Sequence, residues 1–311
     1  MEMNKLVRGL KLLEQADPCV QTYVEDNGEQ ILCTAGELHL ERCLKDLRER
    51  FSGIELTSSE PVIPYRETFL NTSEMNPPKD AQLGRGVEQL LQGPYKLKLK
   101  TLPLLESTTK FLADHQSIIQ NFHNIQLSDQ ESFFNKLKDV TKEDKPLAEV
   151  LGDDVTKIAS FGPKRVGPNI IISEKELLGN FANSFSPKFE FADSVINGFQ
   201  LAVNEGPLAR EPVQGMCVVV EDIVEMNPEE INSIEDPQYQ KDKVNISGRL
   251  ITSVRDVIHA GFLDWSPRMM WAVYTCDVQT SVEVLGKVYS VVQQRRGRIE
   301  SEEMKEGTPF F

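Results

Sequence analysis

The chain has 311 residues, 40% of them hydrophobic, and a net charge of −14, which is enough material for two or three domains with cores of their own. No stretch approaches the ~18 consecutive apolar residues of a membrane span, no signal peptide is visible, and the acidic balance excludes nucleic-acid binding by bulk charge. Five cysteines (Cys19, Cys33, Cys43, Cys217, Cys276) are scattered without any C-x-x-C pair, which predicts reduced, mostly core thiols in a cytosolic or nuclear protein.

Met3, Leu6, Val7, Leu10 and Leu13 fall on one face of a first helix, ended by Asp17-Pro18. Residues 19–24 and 30–34 read as strands joined through Asn27-Gly28, a hairpin signal. A second helix follows Gly36, with Leu40, Leu44, Leu47 and Phe51 on one face and Glu41/Lys45 as an exposed i, i+4 pair. Residues 54–57 read as a closing strand. This α-β-β-α-β order is one strand short of a ferredoxin-like unit, and the missing strand is expected upstream of Met1.

Residues 62–68, bracketed by Pro61 and containing Pro64, read as a stiff extended connector, and the polar, Pro- and Gly-rich residues 71–94 as a loop. Residues 95–102 alternate Leu97 and Leu99 with Lys96, Lys98 and Lys100, a half-buried strand whose lysine row suits a solvated face or an edge-strand guard better than an RNA site. Residues 106–157 are helical by pattern, with apolar clusters at Ile118-Ile119 and Phe133-Phe134. His115 and His123 match no metal-ligand spacing and are expected at the surface. Phe161-Gly162-Pro163 to Gly167-Pro168-Asn169 predicts a tight double turn, with Lys164 and Arg165 at its tip, leading into an apolar strand at 170–172.

A helix over 194–205 is followed by a loop with two prolines (206–214) and a buried strand (215–221). Leu250, Val254, Val257 and Ile258 mark the next helix, with His259 beside it. From Arg268 onward, residues 271–277 read as a strand and 282–294 as a helix with Leu285, Val288, Tyr289 and Val292 on one face. Gly297 breaks it, and residues 298–303 read as a second strand. Two parallel strands and one crossover helix leave a sheet face uncovered, and Phe310-Phe311 favour burial, so this stretch is expected to be the first half of a larger domain.

No G-x-x-x-x-G-K-[ST] phosphate loop is present, and neither Asn4-Lys5 nor Asn135-Lys136 is followed by the aspartate that guanine recognition needs. There is no G-x-S-x-G elbow, no H-E-x-x-H helix, and no convincing Cys/His arrangement among four histidines. No catalytic, cofactor-binding or metal-binding residue is therefore nominated, and the residues alone suggest a binding or mechanical piece.

Several motifs, in order, resemble the C-terminal half of translational GTPases of the elongation factor 2 and elongation factor G type. They are Leu10 to Pro18 running into Gly36-Glu37-Leu38-His39-Leu40-Glu41, then Pro64-Tyr65-Arg66-Glu67-Thr68, then the Phe161 to Ile170 turn. Gly198-Phe199-Gln200-Leu201-Ala202, Arg268-Met269-Met270 and Gly286-Lys287-Val288-Tyr289 through Gly307-Thr308-Pro309 complete the series. The resemblance implies an α+β chain of three parts. Residues 1–60 would be a ferredoxin-like third domain lacking its first strand. Residues 61–267 would be a βαβ-type fourth domain with a helical insertion at about 105–157 and an acidic loop at about 221–245. Residues 268–311 would be the first half of a ferredoxin-like fifth domain.

Elongation factor 2 carries a histidine converted to diphthamide near the position of Val244, and this chain has no histidine from Glu221 to Arg249. From Glu221 to Lys243 it instead holds eight acidic residues against Lys241 and Lys243, which opposes approach to RNA phosphates and suits a protein partner or a solvated loop. This wording, with residues 270–277 and 302–308, resembles the elongation-factor-like GTPases of large ribosomal subunit maturation. That resemblance implies a cytoplasmic role on the large (60S) subunit: release of the anti-association initiation factor six together with the Shwachman–Bodian–Diamond protein, with no membrane partner. GTP and Mg2+ would belong to a G domain absent from these residues. Expected contacts to ribosomal RNA are Lys164 and Arg165 at the double turn, and Arg295, Arg296 and Arg298 around Gly297. The alternatives are a piece of elongation factor 2 acting in translocation, or a stand-alone binding paralogue without GTPase chemistry.

Overall fold

The structure, a computed structural model, describes residues 2–25, 27–152, 154–174, 177–182, 187–227 and 246–304. The chain divides into two compact units, residues 1–62 with 273–311, and residues 63–272. The class is α+β, and among the described residues no helix is long and apolar enough to cross a membrane.

The first unit begins with α1 (Glu2–Ala16), the hairpin β1 (Gln21–Val24) and β2 (Gln30–Cys33), and α2 (Glu37–Asp46), which continues into π-helical turns over Leu47–Ser52. Leu10 and Leu13 of α1 pack on Val20, Cys43 and Leu47, the face that the helical spacing predicts. The hairpin closes as Asn-Gly chemistry requires: Gly28 takes φ 87°, and Asn27 Oδ1 accepts the Glu29 N–H at 2.9 Å.

The second unit contains, in chain order, β3 (Arg66–Leu70), β4 (Val87–Gln92), β5 (Tyr95–Pro103), α3 (Glu106–Asp114), α4 (Gln116–Gln120), α5 (Leu127–Glu143) and α6 (Lys145–Leu151). It continues with β6 (Ile158–Gly162), β7 (Asn169–Ser173), α7 (Ala192–Asn204), β8 (Met216–Glu225), α8 (Ile246–Leu263) and β9 (Ser266–Met270). Five strands form a mixed sheet in the order β4-β5-β8-β7-β6. β7 and β8 are its parallel pair, connected through α7, and the other neighbours run antiparallel.

Ile170, Ile171 and Ile172 are completely buried in sequence, because both faces of this sheet are covered. On one face Ile171, Val218 and Val220 pack under α7 and α8. On the other, Ile170, Ile172 and Val219 pack under the α3–α6 layer through Leu112, Phe122, Phe133 and Leu137. Helices α7 and α8 lie side by side and parallel: Ser194 meets Ser247 at 2.7 Å, and His259 Nε2 donates to the Ala202 carbonyl at 3.2 Å. Gly198 permits the close approach, since a Cβ there would stand 2.8 Å from the Ile251 carbonyl oxygen. The α3–α6 layer is held at one point by the fully buried Asp144. Its carboxylate accepts the Leu105 N–H at 2.7 Å, ahead of α3, and the Leu147 N–H at 3.4 Å, in α6. One side chain thus satisfies orphan amides at the starts of two helices.

Several expected strands are displaced or missing, for a common reason: an extended segment becomes a strand only where a partner offers its backbone groups. The connector read at 62–68 runs into β3, which pairs with β9 from Arg66↔Met270 to Leu70↔Ser266. The strand expected at 271–277 therefore lies earlier, at Ser266–Met270. The ladder stops at Arg66 because Pro64 has no N–H and the Tyr65 N–H is turned back to the Ile63 carbonyl. Residues 54–57 and 298–303 form no ladder among the described residues. The loop expected over 71–94 contains β4, paired with β5 across the two-residue turn Gly93-Pro94. β5 is consequently an interior strand, so its lysine row is no edge guard, and Lys98 pairs with Glu221 at 2.6 Å. Only Cys43 and Cys217 of the five cysteines are core residues. Cys19, Cys33 and Cys276 are exposed, on or beside the thinly covered hairpin and in the unpaired segment after β9. In α9 (Val282–Gln294) the periodic face of Leu285, Val288, Tyr289 and Val292 is half-buried.

Asp144→Ala is expected to lower stability by about 2–4 kcal/mol in urea unfolding, because it removes a cap and leaves buried amides unpaired.

Candidate functional site

Glu67 of β3 is fully buried, yet it makes no ion pair among the described residues. Its carboxylate accepts backbone N–H groups from Leu208 at 2.8 Å, Ala209 at 2.7 Å and Glu211 at 3.1 Å, all in the loop between α7 and β8. Its own backbone adds two bonds to that loop, N–H to the Pro212 carbonyl and carbonyl to the Gln214 N–H. Gly206 is required beside it, because a Cβ there would lie 2.3 Å from Glu67 Oε2. The loop is thus wrapped around one carboxylate, which leaves Arg210 exposed at its apex with φ 60°.

The double turn between β6 and β7 sits alongside. Asn169, fully buried, donates through Nδ2 to the Gly162 and Val213 carbonyls at 2.9 and 2.7 Å and accepts the Met216 N–H at 2.9 Å. Gln200 of α7 fastens the turn from the other side, donating to the Phe161 carbonyl at 2.6 Å and accepting the Arg165 N–H at 3.0 Å. Lys164 and Arg165 are exposed at its tip, with φ 55° and 61°. Next to the Arg210 loop, between the end of α7 and the flank of α8, lies a cavity of about 400 Å³ bordered by Glu205, Arg210, Arg255, Asp256 and His259. Arg255 is engaged by Asp256, with Nε and Nη2 at 2.9 and 2.7 Å from one carboxylate oxygen.

The third expected cationic group, Arg295, Arg296 and Arg298, surrounds the end of α9, where Gly297 N–H closes on the Val292 carbonyl at 2.9 Å. All three arginines are exposed, Arg296 has φ 56°, and Arg298 Nε stands 3.9 Å from Glu300. Cations at a helix C-terminus also complement its dipole. The structure brings Lys164 and Arg165 together in one unit and the three arginines together in the other. Val244 lies outside the described residues, as does most of the acidic stretch. Glu221, Asp222 and Glu225 belong to β8 and not to a loop.

Asp17, His39 and Cys43 are close enough to suggest a metal site, but the imidazole hydrogen bonds argue for a clamp instead. Nδ1 of His39 accepts the Ala35 N–H at 3.0 Å, so the proton resides on Nε2 and is donated to Asp17 at 2.8 Å. Ligation through Nε2 would require that proton to move to Nδ1 and the Ala35 bond to be lost. Burial raises the Cys43 thiol, as do the Asp17 and Asp46 charges, all of which disfavour a thiolate ligand. The Cys19 N–H and then His39 hold the Asp17 carboxyl below its ordinary value.

The description "Elongation factor-like GTPase 1-like domain" matches residues 100–174, which cover the end of β5, the α3–α6 layer, and strands β6 and β7. Ribosome assembly protein 1 of Saccharomyces cerevisiae is 58% identical over 325 residues, covering 100% of this chain and 29% of that protein. Over its whole length the chain is similar to elongation factor-like GTPases. Ribosome assembly protein 1 of Schizosaccharomyces pombe (42% identical, 100% and 33% covered) and Elongation factor-like GTPase 1 of Homo sapiens (31%, 100% and 35%) are further relatives. The chain thus spans about a third of the length of the curated relatives it matches.

Sequence reasoning did not single out Arg210 or the anchoring role of Glu67. Two prolines flagged the loop, but a buried carboxylate that organises backbone amides across some 140 residues leaves no local pattern. Glu67→Gln is expected to cost about 2–4 kcal/mol, since an amide cannot accept three N–H groups as a carboxylate does. Limited trypsinolysis after Arg210 should then accelerate about tenfold. A second expectation follows from the depressed Asp17 carboxyl. Its contribution is present above the ordinary carboxylate range and disappears as pH falls through the lowered native value. Asp17→Asn should lower the melting temperature at pH 7 and shrink the loss that the wild type shows on acidification below about pH 4.

Proposed function

We propose that this chain is the ribosome-contacting, force-transmitting part of an elongation-factor-like GTPase acting in maturation of the large ribosomal subunit in the cytoplasm. The observation that carries this reading is the 58% identity, across the whole chain, to a protein named for ribosome assembly. On this reading, GTP and Mg2+ are held by parts of the parent protein that these residues do not cover. The two units pass a nucleotide-dependent rotation to the subunit as rigid bodies. The partners are ribosomal RNA and protein, the Shwachman–Bodian–Diamond protein, and the initiation factor six that is released.

The Lys164–Arg165 turn and the Arg295, Arg296 and Arg298 cluster supply contacts to RNA phosphates, the local cationic patches that a chain of net charge −14 requires. Co-sedimentation with purified large subunits tests this. Binding should weaken steeply as salt rises, and Arg295→Glu/Arg296→Glu should lower affinity about tenfold or more at low salt. Unchanged binding by the reversed variant removes that cluster from the reading, and no binding by the wild type removes the reading itself.

A further inference from the structure

We propose that Arg210 joins Lys164 and Arg165 in a single RNA-backbone surface, with the cavity between α7 and α8 receiving one phosphodiester group against Arg210. This rests on the ribosomal reading above and extends it to a residue and a cavity outside the contacts expected from sequence.

Three observations converge. First, among the described residues, the non-glycine positions in the left-handed backbone region are Lys164, Arg165, Arg210 and Arg296, and every one is an exposed cation. Glycine, asparagine or aspartate would satisfy that backbone at lower cost. Long cationic side chains do nothing to favour it, so their presence calls for a reason outside folding.

Second, three of the four share one scaffold. β7 and β8 start in parallel register, Ile170 opposite Cys217, so the turn before β7 and the loop before β8 leave the same end of the sheet. Asn169 bonds both, Gln200 holds one and Glu67 holds the other. The cations therefore project from fixed backbone, which lowers the ordering cost of binding.

Third, the cavity carries mixed charges, with one cation left unpaired among the described residues. Arg255 is occupied by Asp256, whereas the Arg210 guanidinium has no ion pair or hydrogen bond among the described residues. Glu205 and Asp256 share the rim, which opposes a dianionic phosphate monoester and leaves room for a singly charged phosphodiester. RNA backbone fits that description, and a free nucleotide or phosphoprotein does not.

Glycine substitution separates binding from folding, because at these φ values it removes the charge and relieves the backbone together. Arg210→Gly is expected to keep or raise the melting temperature. The slope of log affinity against log salt, measured on purified large subunits and on a plain RNA duplex, should decrease by about one. Lys164→Gly/Arg165→Gly/Arg210→Gly should decrease it by about three, and Arg210→Lys should restore the single loss. Wild-type slopes in the glycine variants, with or without a change in melting temperature, overturn the surface and leave the ribosomal reading standing. A wild-type chain that binds duplex RNA but not subunits overturns the ribosomal reading and keeps the surface. A wild-type chain that binds neither overturns both.

Discussion

A carboxylate removed from water needs either an opposite charge or several directed donors, and Glu67 has taken the second course. Three backbone amides of the loop before β8 converge on its two oxygens. Two further backbone bonds flank them. The exchange runs in both directions: without the loop the charge would be stranded, and without the charge the loop's amides would be buried without acceptors. Because Glu67 also belongs to the β3–β9 ladder, this cluster joins that two-stranded ladder to the end of the five-stranded sheet. The conformation of Arg210, the packing of Asn169 against Val213 and the shape of the adjoining cavity all depend on it.

The same unit shows how an added layer changes a sheet. A mixed sheet backed only by α7 and α8 would leave Ile170, Ile172, Cys217 and Val219 facing water. The α3–α6 layer covers them, each such burial being worth about 1.5–3 kcal/mol. The residues that match the family description, 100–174, are largely this layer and the strands beneath it. The layer therefore forms part of the core of the unit, held down through Asp144 and an aromatic cluster that includes Phe122, Phe133 and Phe181.

Folding and function make different demands on the turns at this end of the sheet. Left-handed backbone at Lys164, Arg165 and Arg210 costs roughly 1–2 kcal/mol each, and hydrogen bonds from Gln200, Asn169 and Glu67 keep the surrounding backbone in place. In a chain with 48 acidic residues, cations positioned this rigidly are a local exception to the overall charge. On the proposed reading, that overall charge would suppress non-specific attraction to RNA while these turns retain it at a defined geometry.

Much was legible in the sequence because it depends on local periodicity. The apolar faces of α1, α7, α8 and α9, the Asn27-Gly28 hairpin, the buried run Ile170 to Ile172, and the double turn that exposes Lys164 and Arg165 are each written in a few neighbouring residues. The α+β class and the resemblance to elongation factor-like GTPases followed from those elements and motifs in order. The strand pairings could not be read this way: β3 finds β9 nearly two hundred residues later, and residues 54–57 have extended propensity but no ladder partner among the described residues. The fate of individual polar side chains also lay beyond local pattern. Nothing near Glu67 marks it as buried, nothing near Arg210 marks it as held, and the His39 tautomer depends on Ala35 and Asp17 together. Local sequence fixes how the backbone coils and which face is apolar. Pairing, burial and charge environment are settled by residues far apart in the chain, and only the tertiary structure brings those together.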